Sequence, residues 1–207
     1  MRALRAGGRS AGPLSVAAGS VVGVDEAVYE TRSGRGGPGG GSRVRLAPWA
    51  EGDLDLLRQA NAPELMTHLG GPETEERLRE RHARYVALSD TGPGRMLSVS
   101  LPTGEPAGVV GYWEREWRGE VVWETGWTVL PAFQGRGIAT AAALAVAALA
   151  AAEGTHRYLH AYPSTANLAS NATCRKAGFT LLGPCDLEYP PGHPVRCNDW
   201  RRTLAAG

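Results

Sequence analysis

The stretch that most narrows the possible folds runs from Val121 to Ala152. Val121–Leu130 reads as a strand and Pro131 closes it. Gly135 and Gly137 follow, and then ten of the fourteen residues from Ala139 to Ala152 are alanine. Alanine is the strongest helix former, so the segment reads as strand, glycine-rich turn, long helix. The alanine run is too short and too plain for a lipid anchor. No run in the chain reaches the roughly 18 apolar residues of a membrane span.

The same reading extends outward. Arg43–Leu46 alternates as a strand should, closed by Pro48. Leu54–Leu69 carries apolar residues at helical spacing. Glu73–Leu88 predicts a second amphipathic helix with acids in its first turn. Met96–Leu101 and Ala107–Glu114 join Val121–Leu130 as three strands, with Arg118-Gly119 as the tightest turn. Beyond the alanine helix come a strand at Tyr158–Tyr162 and a helix at Asn167–Ala177. Two strands, Phe179–Leu187 and Val195–Leu204, finish the chain. The order β-α-α-β-β-β-α-β-α-β-β predicts a mixed α/β layer.

Glycine divides the chain. Eleven of the 28 glycines fall in residues 1–43, with a run from Gly34 to Gly41 broken by Arg35 and Pro38. Such a run buries too little apolar surface to offset its chain entropy. Residues 1–43 are therefore expected to be a disordered Gly/Arg-rich N-terminal extension, and residues 44–207 the folded domain. With 43% apolar and 21% charged residues, the whole chain is not a disordered one. A net charge of +1 argues against a dedicated nucleic-acid binder. Lys176 is the only lysine, which removes Schiff-base chemistry elsewhere and any Gly-Lys-Ser/Thr phosphate loop. Cys174, Cys185 and Cys197 do not form a disulfide framework. Cys185, His193 and Cys197 lie close together but fall short of the four ligands of a structural zinc site, so no metal is expected. The expectation is a cytoplasmic protein with neither membrane nor nucleic-acid partners.

Gln134-Gly135-Arg136-Gly137-Ile138-Ala139-Thr140 carries the chemistry. Its glycines permit left-handed backbone and close approach of a ligand. The first N–H groups of the following helix are unpaired and sit at the positive end of its dipole, which suits a phosphate or pyrophosphate. Arg136 adds charge there. A dinucleotide fingerprint fails, because Thr140 stands where a third small residue belongs and no acid closes the next strand. What remains, Gln-x-x-Gly-x-Ala, resembles the pyrophosphate signature of the GNAT acetyltransferase superfamily. A second segment agrees: Asn167-Leu168-Ala169-Ser170 leads to Lys176-Ala177-Gly178-Phe179, similar to the family's later motif at the right spacing. Glu124 to Pro131 and Leu69-Gly70-Gly71-Pro72 further resemble the branch that acetylates ribosomal proteins. The resemblance covers about Val44 to Leu204.

The resemblance implies a mostly antiparallel central sheet with a V-shaped split, flanked by helices. It implies acetyl-CoA as co-substrate and direct transfer to an amine without an acyl-enzyme. Trp127, Thr128 and Val129 would then run beside the pantetheine arm, with Val129 supplying the usual oxyanion donor. Gln134, Gly135, Arg136, Gly137, Ile138, Ala139 and Thr140 would cradle the pyrophosphate. Asn167 and Ser170 would approach the cofactor from the second motif. Glu124 matches an acid often present in this branch and is the candidate base. The family commonly places a tyrosine seven residues after the motif asparagine, and here that place is Cys174. The general acid is therefore Cys174 or Tyr162, with His160 a further candidate on the same strand face as Tyr162.

The resemblance implies an acceptor that is a primary amine on a small molecule or a protein N-terminus, and a monomer or homodimer. The other reading is a GNAT-like domain that binds acyl-CoA or a partner without turnover. Trp113, Trp117, Trp123 and Trp127 crowd the central hairpin. Alternation puts Trp123, Thr125 and Trp127 on one face and Glu124 on the other. The tryptophans are expected to pack the sheet; the competing reading has some of them, with Tyr189 and the loop Pro190–Pro194, wall the acceptor pocket.

Overall fold

The computed structural model describes residues 27–30, 43–91, 93–189 and 192–204. Its centre is one eight-stranded sheet: β1 (Ala27–Glu30), β2 (Arg43–Pro48), β3 (Gly94–Ser100), β4 (Pro106–Trp117), β5 (Glu120–Val129), β6 (Tyr158–Ala161), β7 (Thr180–Glu188) and β8 (Pro194–Thr203). The spatial order is β1-β2-β3-β4-β5-β6-β8-β7. Every pairing is antiparallel except β5 with β6.

Three layers follow from which strand faces are apolar. On one face α1 (Leu54–Ala60) and α3 (Glu75–Thr91) cover a core of Trp49, Leu56, Leu57, Leu78, Met96, Val109 and Leu130. On the other lies α4 (Ile138–Glu153), whose Ala141, Ala142, Ala143, Val146 and Ala150 pack with Val44, Leu97, Val110, Trp123 and Leu159. Small side chains let this helix sit close to the strands. The short α5 (Leu168–Lys176) packs beside α4. Central strands thus bury both faces, which is why Met96 and Leu97 are adjacent in sequence yet belong to different cores.

Two elements differ from the sequence expectation. The helix expected over Leu54–Leu69 breaks after Ala60 and restarts as α2 (Pro63–Met66). Pro63 lacks the N–H needed to continue a helix but suits the first position of a new one. Ala27–Glu30, inside the stretch expected to be a disordered extension, form β1 along β2. Val28 and Tyr29 are strand-favouring types there. The rest of residues 1–42 lies outside the described residues. The hairpin turn at Arg118-Gly119 is as tight as expected: both residues have positive φ, 53° and 83°, as a two-residue hairpin loop needs.

Candidate active site

The site begins where the sheet opens. β5 pairs with β4 along its whole length, from Glu120 to Val129. With β6 it makes only two rungs, Trp123 with Leu159 and Glu124 with His160. After β6 the chain turns toward β8: Asn198 N–H bonds the Pro163 carbonyl at 2.9 Å, and Thr165 N–H bonds Arg196 at 2.9 Å. From Thr125 to Val129, β5 therefore has no strand partner on that side. A slot with an unpaired strand edge is the result.

One end of the slot is the glycine turn. Pro131–Phe133 form a single 3-10 turn, and Gly137 caps α4 with φ 78°. Gly135 is also left-handed, at φ 74°. A side chain is strained at either position. The first bond within the helix is Ala141 N–H to the Gly137 carbonyl, 3.0 Å. The preceding N–H groups of Ile138, Ala139 and Thr140 thus belong to the unpaired helix start. The Gln134 amide donates to the Val129 carbonyl at 3.0 Å and braces the turn against the strand end. The Arg136 guanidinium lies over the Phe133 ring at 5.4 Å. Ile138 points into the core. Across the slot, Asn167 caps α5 by accepting the Ser170 N–H at 3.0 Å.

The face away from α4 carries the titratable groups. Arg115 Nη1 donates to Glu124 Oε2 at 2.7 Å, and the same guanidinium lies 5.1 Å from the Tyr162 ring centre. The Trp117 ring lies 4.9 Å from Tyr162, and its indole N–H donates to Asp199 Oδ2 at 2.9 Å. Asp199 Oδ1 bonds His160 Nδ1 at 2.7 Å. His160 stacks on Tyr162, rings 22° apart with centres at 5.7 Å. The Tyr162 hydroxyl is buried with no hydrogen-bond partner among the described residues. Burial, reinforced by the Asp199 and Glu124 charges, pushes that phenol well above its ordinary value. Burial also acts to raise Asp199, but the bonds from His160 and Trp117 outweigh it and hold the carboxyl low.

Glu124, Tyr162 and His160 are thus brought together on one face. Cys174 is not among them. It is fully buried in the apolar core under α4 and α5, and burial lifts its thiol to about 12. Trp123 packs in the α4-side core against Tyr112, and Trp113 and Trp127 also pack against core clusters. Trp113, the rung partner of Glu124, shares its sheet face but packs into the α1/α3 core, and Trp117 joins the Glu124–Tyr162 cluster. Tyr189 is 43% exposed, while Pro190 and Pro191 lie outside the described residues. Sequence reasoning missed Arg115, Asp199 and Asn171. Asn171 ties the slot's far wall together: its amide donates to the Ser164 and Asn167 carbonyls, and its oxygen accepts from Asn198 and Trp200. Two of the three had a signal, since Asp199 interrupts a strand and Asn171 a helix interior, where each type is disfavoured. Among the described residues no three His, Cys, Asp or Glu side chains gather as a metal ion would need. Nor is any helix there long and apolar enough to cross a membrane.

A strand split, a left-handed glycine turn and an N-capped second motif form one arrangement, and residues 43–180 match the family model of the acetyltransferase (GNAT) domain. The chain belongs to the GNAT acetyltransferase family. Solved structures share its fold. One is RimL, the ribosomal L7/L12 alpha-N-protein acetyltransferase in complex with coenzyme A, at 23% identity and TM-score 0.65, covering 82% of this chain and 98% of that one. An acetyltransferase from Agrobacterium tumefaciens matches at 25% identity and TM-score 0.62, over 77% of this chain and 90% of its own. A spermidine N-acetyltransferase from Vibrio cholerae, solved with CoA and spermine, matches at 16% identity and TM-score 0.64, over 78% and 95%. No curated protein matches the sequence significantly.

Proposed function

We propose that this GNAT protein transfers an acetyl group from acetyl-CoA to a primary amine, by direct attack within a ternary complex. The observation that carries the reading is the strand split, with the α4 glycine turn at one end and the Glu124–Tyr162 face at the other. Proteins of the same fold acetylate a ribosomal-protein N-terminus or a polyamine, so the acceptor is a small amine or a protein N-terminus.

The residues divide the work as follows. The unpaired N–H groups at Ile138, Ala139 and Thr140, with Gly135, Arg136 and Gly137, receive the pyrophosphate. Gln134 keeps that turn on the strand end. The free edge of Trp127, Thr128 and Val129 runs along the pantetheine arm and gives a backbone donor to the developing oxyanion. Asn167 and Ser170 line the opposite wall. No metal takes part. Glu124 Oε2 is occupied by Arg115, while Oε1 makes no hydrogen bond among the described residues and receives the acceptor's ammonium group. The Tyr162 hydroxyl, buried and unpaired, gives its hydrogen bond to the departing thiolate. Cys174 fills core space and takes no part.

The test is CoA thiol release from acetyl-CoA with a panel of polyamines, small amines and N-terminal peptides, each product checked by mass. The expected result is release matched one-for-one by acetylated amine. Tight acetyl-CoA binding with no release across the panel would overturn the reading and leave a CoA-binding domain without turnover.

A further inference from the structure

The Asp199–His160 pair is a buried polar pair within the sheet. His160 is 3% exposed and Asp199 0%. A buried charged or polar pair contributes little net stability against apolar residues of equal volume. Yet here every oxygen of the carboxylate is engaged: Oδ1 by His160 at 2.7 Å, Oδ2 by the Trp117 indole at 2.9 Å, with Arg118 Nη2 at 3.7 Å. The effect is to fix the imidazole in one orientation. A carboxylate on Nδ1 sets the tautomer, placing the hydrogen there and the lone pair on Nε2. Nε2 makes no hydrogen bond among the described residues.

The position of that ring is as specific as its partner. His160 is the rung partner of Glu124, on the last rung before β5 and β6 separate. Registered neighbours on paired strands project to the same face. The imidazole therefore lies on the same sheet face as Glu124, at the rung where the two strands begin to part. Imidazole is the side chain most often used as a general base near neutral pH. Glu124 is also engaged by Arg115 at 2.7 Å.

We infer that His160, oriented by Asp199, takes the proton from the acceptor's ammonium group, while Glu124 holds the acceptor without serving as the base. The inference rests on the acetyltransferase reading above. One N–H bond of the ammonium group breaks and its proton passes to Nε2. The freed nitrogen lone pair forms the C–N bond to the acetyl carbonyl carbon. The C–S bond breaks, and the thiolate takes the second proton from the nitrogen. The imidazolium then returns its proton to water. His160 is the catalytic residue in this scheme; Asp199 is a positioning residue, with Trp117 steadying it.

The titratable and charged groups around the ring are Tyr158 on β6, Tyr162 just after it, Asp199 and Arg201 on β8 and Glu124 on β5, with Arg115 on β4, Arg118 in the hairpin turn, Cys185 on β7 and Cys197 on β8 in the cluster beyond. The test is the pH profile of thiol release, with acetyl-CoA affinity measured on the same samples. His160→Gln is expected to lower kcat about 100-fold with acetyl-CoA affinity unchanged, and His160→Ala to regain activity with added imidazole. Asp199→Asn keeps the shape but removes the carboxylate that orients the ring. Asp199→Asn is expected to lower kcat while acetyl-CoA affinity and the acceptor KM stay unchanged, as loss of a positioning group would. Glu124→Gln should raise the acceptor KM and leave the acid limb in place. His160→Gln with full kcat, or an acid limb abolished by Glu124→Gln alone, would overturn the assignment without touching the acetyltransferase reading. A wild-type protein that binds acetyl-CoA but acetylates no amine would overturn both.

Discussion

The two ends of the slot are built in opposite ways. The glycine turn and the start of α4 come from one unbroken run, Val129 to Thr140, and its geometry is set by backbone: two left-handed glycines and a helix start. The Glu124 face is gathered from Arg115, Trp117, Glu124, His160, Tyr162 and Asp199, across four strands, and is set by side chains. Binding a phosphate needs only donors in a curve, which a local turn provides. Proton transfer needs groups whose environments differ, and only tertiary packing brings those together. The two regions should accordingly fail in different ways.

The largest expected effect is at Asp199. Asp199→Ala leaves the Trp117 indole and the His160 ring unpaired beneath the sheet. It should cost about 3 kcal/mol of stability, a fall of roughly 9 °C in Tm for a domain this size. Asp199→Asn should cost far less. Equal losses from both would show that the anion itself, and not the shape that Asn keeps, holds the cluster together.

Gly137→Val comes next. A β-branched residue at φ 78° costs about 2 kcal/mol, and the acetyl-CoA Kd should rise about tenfold as the turn deforms. Calorimetry reads both. Glu124→Gln should raise the acceptor KM about tenfold, the value of one charged hydrogen bond, with kcat nearly unchanged. A large kcat loss with an unchanged KM would return the base role to Glu124.

The smallest effect is at Cys174. Cys174→Ala should keep kcat within about twofold and lose about 1 kcal/mol from the small cavity. The folded thiol holds its proton up to about 12, while in an unfolded chain it would ionise near 9. Its contribution to stability is therefore whole below pH 9 and falls as pH rises through 12. Cys174→Ala should lose less stability than wild type across that window, read by denaturant melts at pH 8 and pH 10. Cys174→Ala with kcat down a hundredfold would restore the thiol as the acid.

How much the sequence disclosed follows the same division. The strand–turn–helix at Val121–Ala152 and the second motif at Asn167–Phe179 were legible because their meaning is local: glycine, proline and alanine act on their own backbone. The split was legible only through family resemblance, since nothing within Tyr158–Tyr162 says that pairing stops at His160. Tyr162 and His160 could be placed on a common face by alternation, but not on Glu124's face. Arg115 left no local signal, and Asp199, though out of place in a strand, gave no hint of its partners, because each depends on a residue dozens of positions away or on another strand. Cys174 drew attention through its place in a motif, where packing decides its role.

The division between cofactor end and acceptor end is tested most directly by measuring acetyl-CoA Kd and kcat for Gly137→Val and His160→Gln side by side. A clean crossing is expected. Gly137→Val raises Kd about tenfold while kcat at saturating acetyl-CoA stays within a few-fold. His160→Gln leaves Kd at the wild-type value and lowers kcat about 100-fold. Both variants shifting Kd and kcat in parallel would contradict it.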